Sequence, residues 1–414
     1  MSTPSIFLSA GEASGEHYGA LLLSALQQKL KALGQEATFF GMGGERMAAA
    51  GLERVVRSED VAVMGITEVI RHLPRVYREF RRLRQSIRDR RPSVAILIDF
   101  PDFHFKLAQE LHALGVPVLF FVSPQLWAWK KHRLKLVQRY VDRMLVIFPF
   151  EQQFYLDHGV QAEFVGHPLA ELPLPAISRE DFARENQLDP ALPWIALLPG
   201  SRAKEIRDNL PEMLRAASLL IKDAGPAQFL IPLAATLTPE QRETARVLVH
   251  QHGPGLPVRL IRDAGAEGAV GPTAGGARAT LFHARAAVVA SGTATVEAAL
   301  IGNPFVVVYR VSPITYAIAK RVVTVKDVAM ANLIAGRRIV PELIQADFTA
   351  ENIVRHLAPL LPDGAPRQSM MEELARIRTL LNTRAALPGE SSNAIGRVAD
   401  IALETLGLTS PAVV

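Results

Sequence analysis

Five short segments place polar side chains directly behind apolar, β-branched runs, where a strand would end. The first reads Ser9-Ala10-Gly11-Glu12-Ala13-Ser14-Gly15-Glu16. Gly11 and Gly15, with small residues such as Ser14 between, let backbone N–H groups approach a ligand, and a helix starting there favours an anion. A plain strand–helix turn is the other reading. The spacing departs from G-x-G-x-x-G, and neither that pattern nor G-x-x-x-x-G-K-[ST] occurs, which argues against NAD enzymes and P-loop NTPases. The second segment, Ile98 to His104, carries Asp99 and Asp102. An aspartate at the carboxyl end of a buried strand is placed to serve as a general base. Alternatively Asp99 bonds a loop and Asp102 caps a helix.

The third segment, Ser123 to Lys130, holds Trp127 and Trp129 and runs into Lys131, His132, Arg133 and Lys135. Aromatic faces suit sugars or acyl chains and the basic cluster suits phosphate, unless the tryptophans are simply core. The fourth is Leu198-Pro199-Gly200-Ser201-Arg202, with Lys204 and Glu205 behind it, and the fifth Ala290-Ser291-Gly292-Thr293-Ala294-Thr295-Val296-Glu297. Each turn offers backbone donors; Ser201 and Arg202 add a hydroxyl and a guanidinium fork, and Glu297 lies one helical turn on, within reach of a ribose diol. Two such turns in one domain point to a nucleotide diphosphate. There is no D-x-D triplet and no H-x-x-x-H or H-E-x-x-H spacing, so no metal or other cofactor is expected, and Arg, Lys and helix N-termini must stabilise a leaving diphosphate.

These turns need a scaffold. Strands are expected at Ile6–Ala10, Ala95–Ile98, Val116–Val122, Met144–Phe148 and Glu163–Val165, then at Ile195–Leu198, Gln228–Pro232, Val258–Leu260, Ala286–Ala290 and Phe305–Tyr309. The runs are apolar without alternation, as in parallel sheets covered on both faces. Helices between them, His17–Leu33, Phe105–Leu114, Leu210–Asp223 and Pro239–His252, complete two α/β domains. Prolines between Pro168 and Pro193 mark the boundary. The expected blocks are 1–175, 190–345 and a helical 346–414.

One helix is unlike the rest. Ile66, Val69, Ile70, Leu73, Val76, Tyr77, Phe80 and Leu83 follow helical spacing, with Pro74 expected to kink or divide it. Nine arginines between Arg71 and Arg91, among them Arg78, Arg81 and Arg82, face only Glu79 and Asp89. That reads either as a membrane-surface helix or as a solvated face over a core stripe.

The chain has 414 residues, 49% apolar, with no cysteine and a net charge of +5. That excludes disulfides and thiolate chemistry and favours an anionic partner. No apolar run reaches the ~18–20 residues of a membrane span. Met1 to Ser5 carries no basic region, so a secretory leader is not expected and a cytoplasmic location is. No nucleic-acid module appears.

Together the segments resemble the lipid-A-disaccharide synthase family, glycosyltransferase family 19. The matching residues are Ala10–Gly15, Val63–Val69, Asp99–Phe103, Ser123–Trp129, Phe148–Glu151, Val165–Pro168, Leu197–Arg202, Ala290–Glu297, Val308–Arg310 and Asn332–Gly336. The resemblance implies a GT-B fold, two Rossmann-like domains facing across a cleft, with C-terminal helices crossing back to the first. It implies a metal-independent, inverting hexosyl transfer from UDP-2,3-diacylglucosamine to 2,3-diacylglucosamine 1-phosphate at the cytoplasmic face of the inner membrane, whose anionic surface the enzyme meets. A homodimer exchanging the C-terminal helices is compatible with it. On this footing Asp99 is the base. Ser201, Arg202, Ser291, Gly292 and Thr293 hold the diphosphate, and Glu297 the ribose. Tyr309, Arg310 and Asn332 line the nucleotide, while Gly11, Glu12, Ser14 and Gly15 shape the acceptor side.

The chain departs from the family pattern at Glu16, where Asp is common, at His104, where Asn is, and at Met330-Ala331 before Asn332, where Leu-Pro is usual. Competing readings are another GT-B UDP-sugar enzyme, either a 2-epimerase or a lipid-acceptor transferase, and a non-catalytic protein that merely binds UDP-sugars.

Overall fold

The computed structural model describes residues 3–61, 66–129, 131–234, 237–262, 276–312, 316, 325, 327–382 and 391–408. The chain divides into two units, 1–171 with 381–414, and 172–380.

In the first unit, strands β1 (Ser5–Ala10), β2 (Thr38–Gly43), β3 (Glu53–Arg57), β4 (Val94–Ile98), β5 (Val118–Phe121), β6 (Arg143–Val146) and β7 (Ala162–Phe164) form one parallel sheet ordered β3-β2-β1-β4-β5-β6-β7. Helices α1 (Ala13–Ala32), α2 (Glu45–Ala49), α3 (Ile66–Arg90), α4 (Pro101–Ala113), α5 (Leu134–Tyr140) and α6 (Pro149–Leu156) make the crossovers. Every residue of β4 and β5 is buried, which is why these strands read as unbroken apolar runs.

The second unit repeats the plan. It contains α7 (Arg179–Asn186), β8 (Trp194–Leu198), α8 (Ala203–Ala224), β9 (Gln228–Leu233), α9 (Pro239–His252), β10 (Val258–Arg262), α10 (Gly276–His283), β11 (Ala286–Ala290), α11 (Thr293–Ile301), β12 (Phe305–Tyr309), α12 (Met330–Ala335) and β13 (Glu342–Ile344). Its parallel sheet runs β10-β9-β8-β11-β12-β13. In both sheets the strand order reverses beside the first strand, at β1/β4 and at β8/β11. Connections there leave toward opposite faces and open a crevice at the carboxyl ends.

The C-terminal segment does not return as the single expected block 346–414. Helices α13 (Ala350–Leu357) and α14 (Ala365–Leu381) stay almost entirely with the second unit. Ala350 N–H donates to the buried Glu212 of α8 at 2.6 Å, and Arg367 donates to the Arg285 carbonyl at 2.6 Å. Helix α15 (Ala394–Thr405) packs on α1 with Lys29–Asp400 at 2.5 Å, and Arg397 ties it to Glu163 of β7 at 2.6 Å. Pro74 neither ends nor divides α3, which runs through it.

Candidate active site

The β1/β4 switch point brings the first two segments together. Ala10 pairs with Ile98, so Gly11 and Asp99 leave the sheet side by side. Gly11 is required there: a Cβ would stand 2.3 Å from the Phe100 ring. Asp99 and Phe100 both lie in the left-handed region, each at φ 52°, with Pro101 opening α4 behind them. Two consecutive non-glycine residues in that region cost about 1–3 kcal/mol each and collect at functional turns. The Asp99 carboxyl is pushed up to about 6, chiefly by burial and further by the neighbouring Glu12 carboxylate. A carboxylate tuned toward neutrality suits proton abstraction near pH 7.

The turn is clipped from below by a side chain the sequence left unassigned. His104 is fully buried, with Nδ1 2.5 Å from the Asp99 carbonyl and Nε2 2.8 Å from Ser9 Oγ. Glu16, another departure, accepts the Arg46 N–H at 2.8 Å and so secures the first turn of α2.

After β5 the chain turns again through a strained residue, Val122 at φ 64°. The following loop is anchored by Glu151, at the start of α6. This fully buried carboxylate accepts from Ser123 Oγ at 2.7 Å, Trp127 Nε1 at 3.0 Å and the Phe148 N–H at 3.3 Å. Burial raises it to about 7 against those bonds. Trp127 is therefore core at 8% exposure, whereas Trp129 is 44% exposed. Arg133 pairs with the exposed Asp102, which does not cap α4 through its side chain.

At the β8/β11 switch point of the second unit, Gly200 sits at φ 122° and Gly292 at φ 149°, backbone that other residues rarely adopt. The Ser201 and Arg202 N–H groups donate to Glu205 Oε2 at 3.0 and 3.3 Å, and the Arg202 guanidinium to Glu205 Oε1 at 2.9 Å. The turn thus already holds an oxyanion. Beneath it, buried Asn209 donates to the Pro199 carbonyl at 2.8 Å. Gly292 and Thr293 are exposed at the start of α11, while Ser291 and Glu297 are half-buried. Glu297 lies close enough to the buried Arg278 to offset the fall in its pKa. Tyr309 is half-buried, raised by burial and by the Glu205 charge.

Two expected nucleotide contacts are otherwise engaged. Arg310 donates to the Phe348 carbonyl at 2.5 Å and lies 4.4 Å over the Phe348 ring, tying β12 to the segment before α13. Asn332 is 1% exposed, and its amide donates to the Val340 carbonyl and Glu342 while accepting the Ile339 and Val340 N–H groups. No donor or acceptor of that amide is left for a nucleotide; it orders the approach to β13.

On α3, Leu83 and Ile87 are fully buried and Phe80 meets Phe103 at 5.4 Å, so this part of the stripe is core. Tyr77 is 62% exposed. Arg78 and Arg82 flank the buried Glu79 at 3.1 and 2.9 Å, and Arg81 is exposed. Ile66, Val69, Ile70 and Leu73 lie outside the residues whose side chains are described. No helix among the described residues is long and apolar enough to cross a membrane.

Ser9, His104, Glu151 and Glu205 were not singled out as functional by sequence reasoning. Glu151 and Glu205 carried a signal, an acidic residue three places after a helix start; His104 carried one only as a departure from the family pattern, which did not say what it holds.

Two Rossmann-like parallel-sheet units, each with its candidate loops at a switch point, constitute a GT-B fold. Solved structures agree: the UDP-GlcNAc 2-epimerase from Neisseria meningitidis superimposes with a TM-score of 0.59 at 13% identity, over 98% of this chain and 99% of that one. The calicheamicin glycosyltransferase CalG4 gives 0.55 at 18% identity, over 99% and 100%. The family model described as lipid-A-disaccharide synthetase matches residues 6–392. The lipid-A-disaccharide synthase of Acidobacterium capsulatum is 61% identical over 98% of this chain and 97% of its own length. That of Koribacter versatilis is 50% identical over 91% and 93%. The chain belongs to the lipid-A-disaccharide synthetase family.

Proposed function

We propose that the protein transfers 2,3-diacylglucosamine from UDP-2,3-diacylglucosamine to 2,3-diacylglucosamine 1-phosphate, giving the β-1,6-linked disaccharide 1-phosphate and UDP. The observation that carries this reading is Asp99: a strained, half-buried carboxylate at a switch point, raised to about 6. The Asp99 carboxylate takes the proton of the acceptor 6-hydroxyl as that oxygen attacks the donor's anomeric carbon. The bond from that carbon to the UDP oxygen breaks on the opposite face, and the configuration inverts. Its electron pair leaves with the diphosphate, whose charge falls to the Arg202 guanidinium, the Ser201 hydroxyl and the Ser291–Thr293 turn at the start of α11. Removing one such donor typically costs ~10²–10³ in rate. Because these groups meet the leaving charge, the reaction is read as metal-independent. Glu297 is assigned to the ribose, and Gly11–Gly15 with Glu12 to the acceptor.

Both substrates carry acyl chains, so the enzyme works as a peripheral protein at the inner face of the inner membrane. The exposed Arg81, with Arg78 and Arg82, supports this, since basic residues near an anionic leaflet are worth about 1 kcal/mol each. The test is mass-spectrometric product analysis with diacylated donor and acceptor. Disaccharide 1-phosphate with stoichiometric UDP is expected; an epimerised UDP-sugar without acceptor consumption would replace this reading with the epimerase.

A further inference from the structure

We propose that His104 is a positioning residue for the transfer: through its Nδ1–H it holds the Asp99 carbonyl and so aims the Asp99 carboxylate. The inference rests on the reading of Asp99 as the base.

The Asp99 carbonyl belongs to a residue at φ 52°, where the chain has left the β4 ladder, and its partner is the imidazole 2.5 Å away. A carbonyl only accepts, so Nδ1 carries the proton. Nε2 is then the acceptor, and Ser9 Oγ donates to it at 2.8 Å. Ser9 is buried in β1, one residue before the β1 end, so the ring joins β1, the Asp99 turn and the first turn of α4. The ring cannot tilt, because Phe100, Phe103 and Phe120 stand around it with centroids 5.8, 6.0 and 6.1 Å away. Burial pulls the imidazole down to about 4, so it stays neutral, with one donor and one acceptor, throughout the working pH range. The Asp99 N–H donates to the Phe121 carbonyl at 2.9 Å, so the imidazole fixes the other end of the same residue, and a base misplaced by about 1 Å can lose ~10²-fold in rate.

Two substitutions separate the clip on Asp99 from mere filling of the core. Asparagine places its amide at the δ position, where it can donate to the Asp99 carbonyl but cannot reach Ser9. Glutamine places its amide at the ε position, where it can meet Ser9 but not the carbonyl. The experiment measures kcat and donor KM for wild type, His104→Asn, His104→Gln and Asp99→Asn, with folding verified by thermal melting. His104→Asn should keep kcat within about threefold of wild type, and His104→Gln should lose about 10–100-fold with donor KM within about twofold, as expected for a misaimed base. Equal activity of the two variants, or a Gln variant more active than the Asn variant, would overturn the inference. If Asp99→Asn is inactive while His104→Gln turns over normally, only the role of His104 falls. If Asp99→Asn itself turns over normally, the base assignment fails and the inference with it.

Discussion

Gly11 and Phe100 occupy each other's space: the phenylalanine ring lies where a Cβ on residue 11 would be, 2.3 Å from Cδ1. The contact locks the turn after β1 to the turn after β4, and Phe100 is the residue that follows Asp99. The first glycine of one segment is therefore a requirement of the next. Gly11→Ala should force the ring aside, costing about 1–3 kcal/mol in stability. Turnover should fall with it, read by urea denaturation beside a transfer assay.

The Glu12–Asp99 pair sets a pH dependence. Asp99 must be ionised to accept a proton, and burial first, then Glu12, lifts it to about 6. Turnover should rise with pH through an apparent value near 6, and Glu12→Gln should move that limb to lower pH. Stability runs the other way. A carboxyl raised in the folded state binds its proton more tightly there than in the unfolded chain. Its effect on stability is therefore lost as pH rises from about 4 through 6. Asp99→Asn should gain roughly 3 kcal/mol over wild type at pH 8 and nothing below pH 4, read from melting at both pH values.

Glu151 holds three donors at once, from Ser123, Trp127 and Phe148. Glu151→Ala removes the one acceptor these buried donors share, and should cost about 3 kcal/mol or more. The indole should then become mobile, visible as a red shift of tryptophan emission.

On α3, Arg78 and Arg82 share the Glu79 carboxylate, so their field is partly spent within the helix. Reversing Arg78, Arg81 and Arg82 to Glu should still weaken co-sedimentation with anionic vesicles by about 10²-fold at low salt, and by much less at high salt. Unchanged binding would remove this face from the membrane.

Much of this was legible in the sequence. Strands β11 and β12 lie where their apolar runs end, because a strand buried on both faces has no polar position to blur it. Strands β2, β3 and β13 were not foreseen: Gly41 and Gly43 interrupt the first, Glu53 and Arg54 face the edge in the second, and the third is three residues long. Helices α4 and α8 begin earlier than their periodicity suggested. Pro101 sits at a first helical position, where it costs nothing, and Pro211 lies within α8 without ending it. The loops were readable because small and charged residues behind a strand have few bland uses. What these side chains hold, as with His104 and Asn332, depends on contacts across the fold that spacing does not encode.

The most direct test is a transfer assay on Asp99→Asn with UDP affinity measured calorimetrically on the same preparation. The base assignment predicts unaltered UDP binding and no disaccharide beyond about 10⁻³ of the wild-type rate. Disaccharide formation at near-normal rate would contradict it.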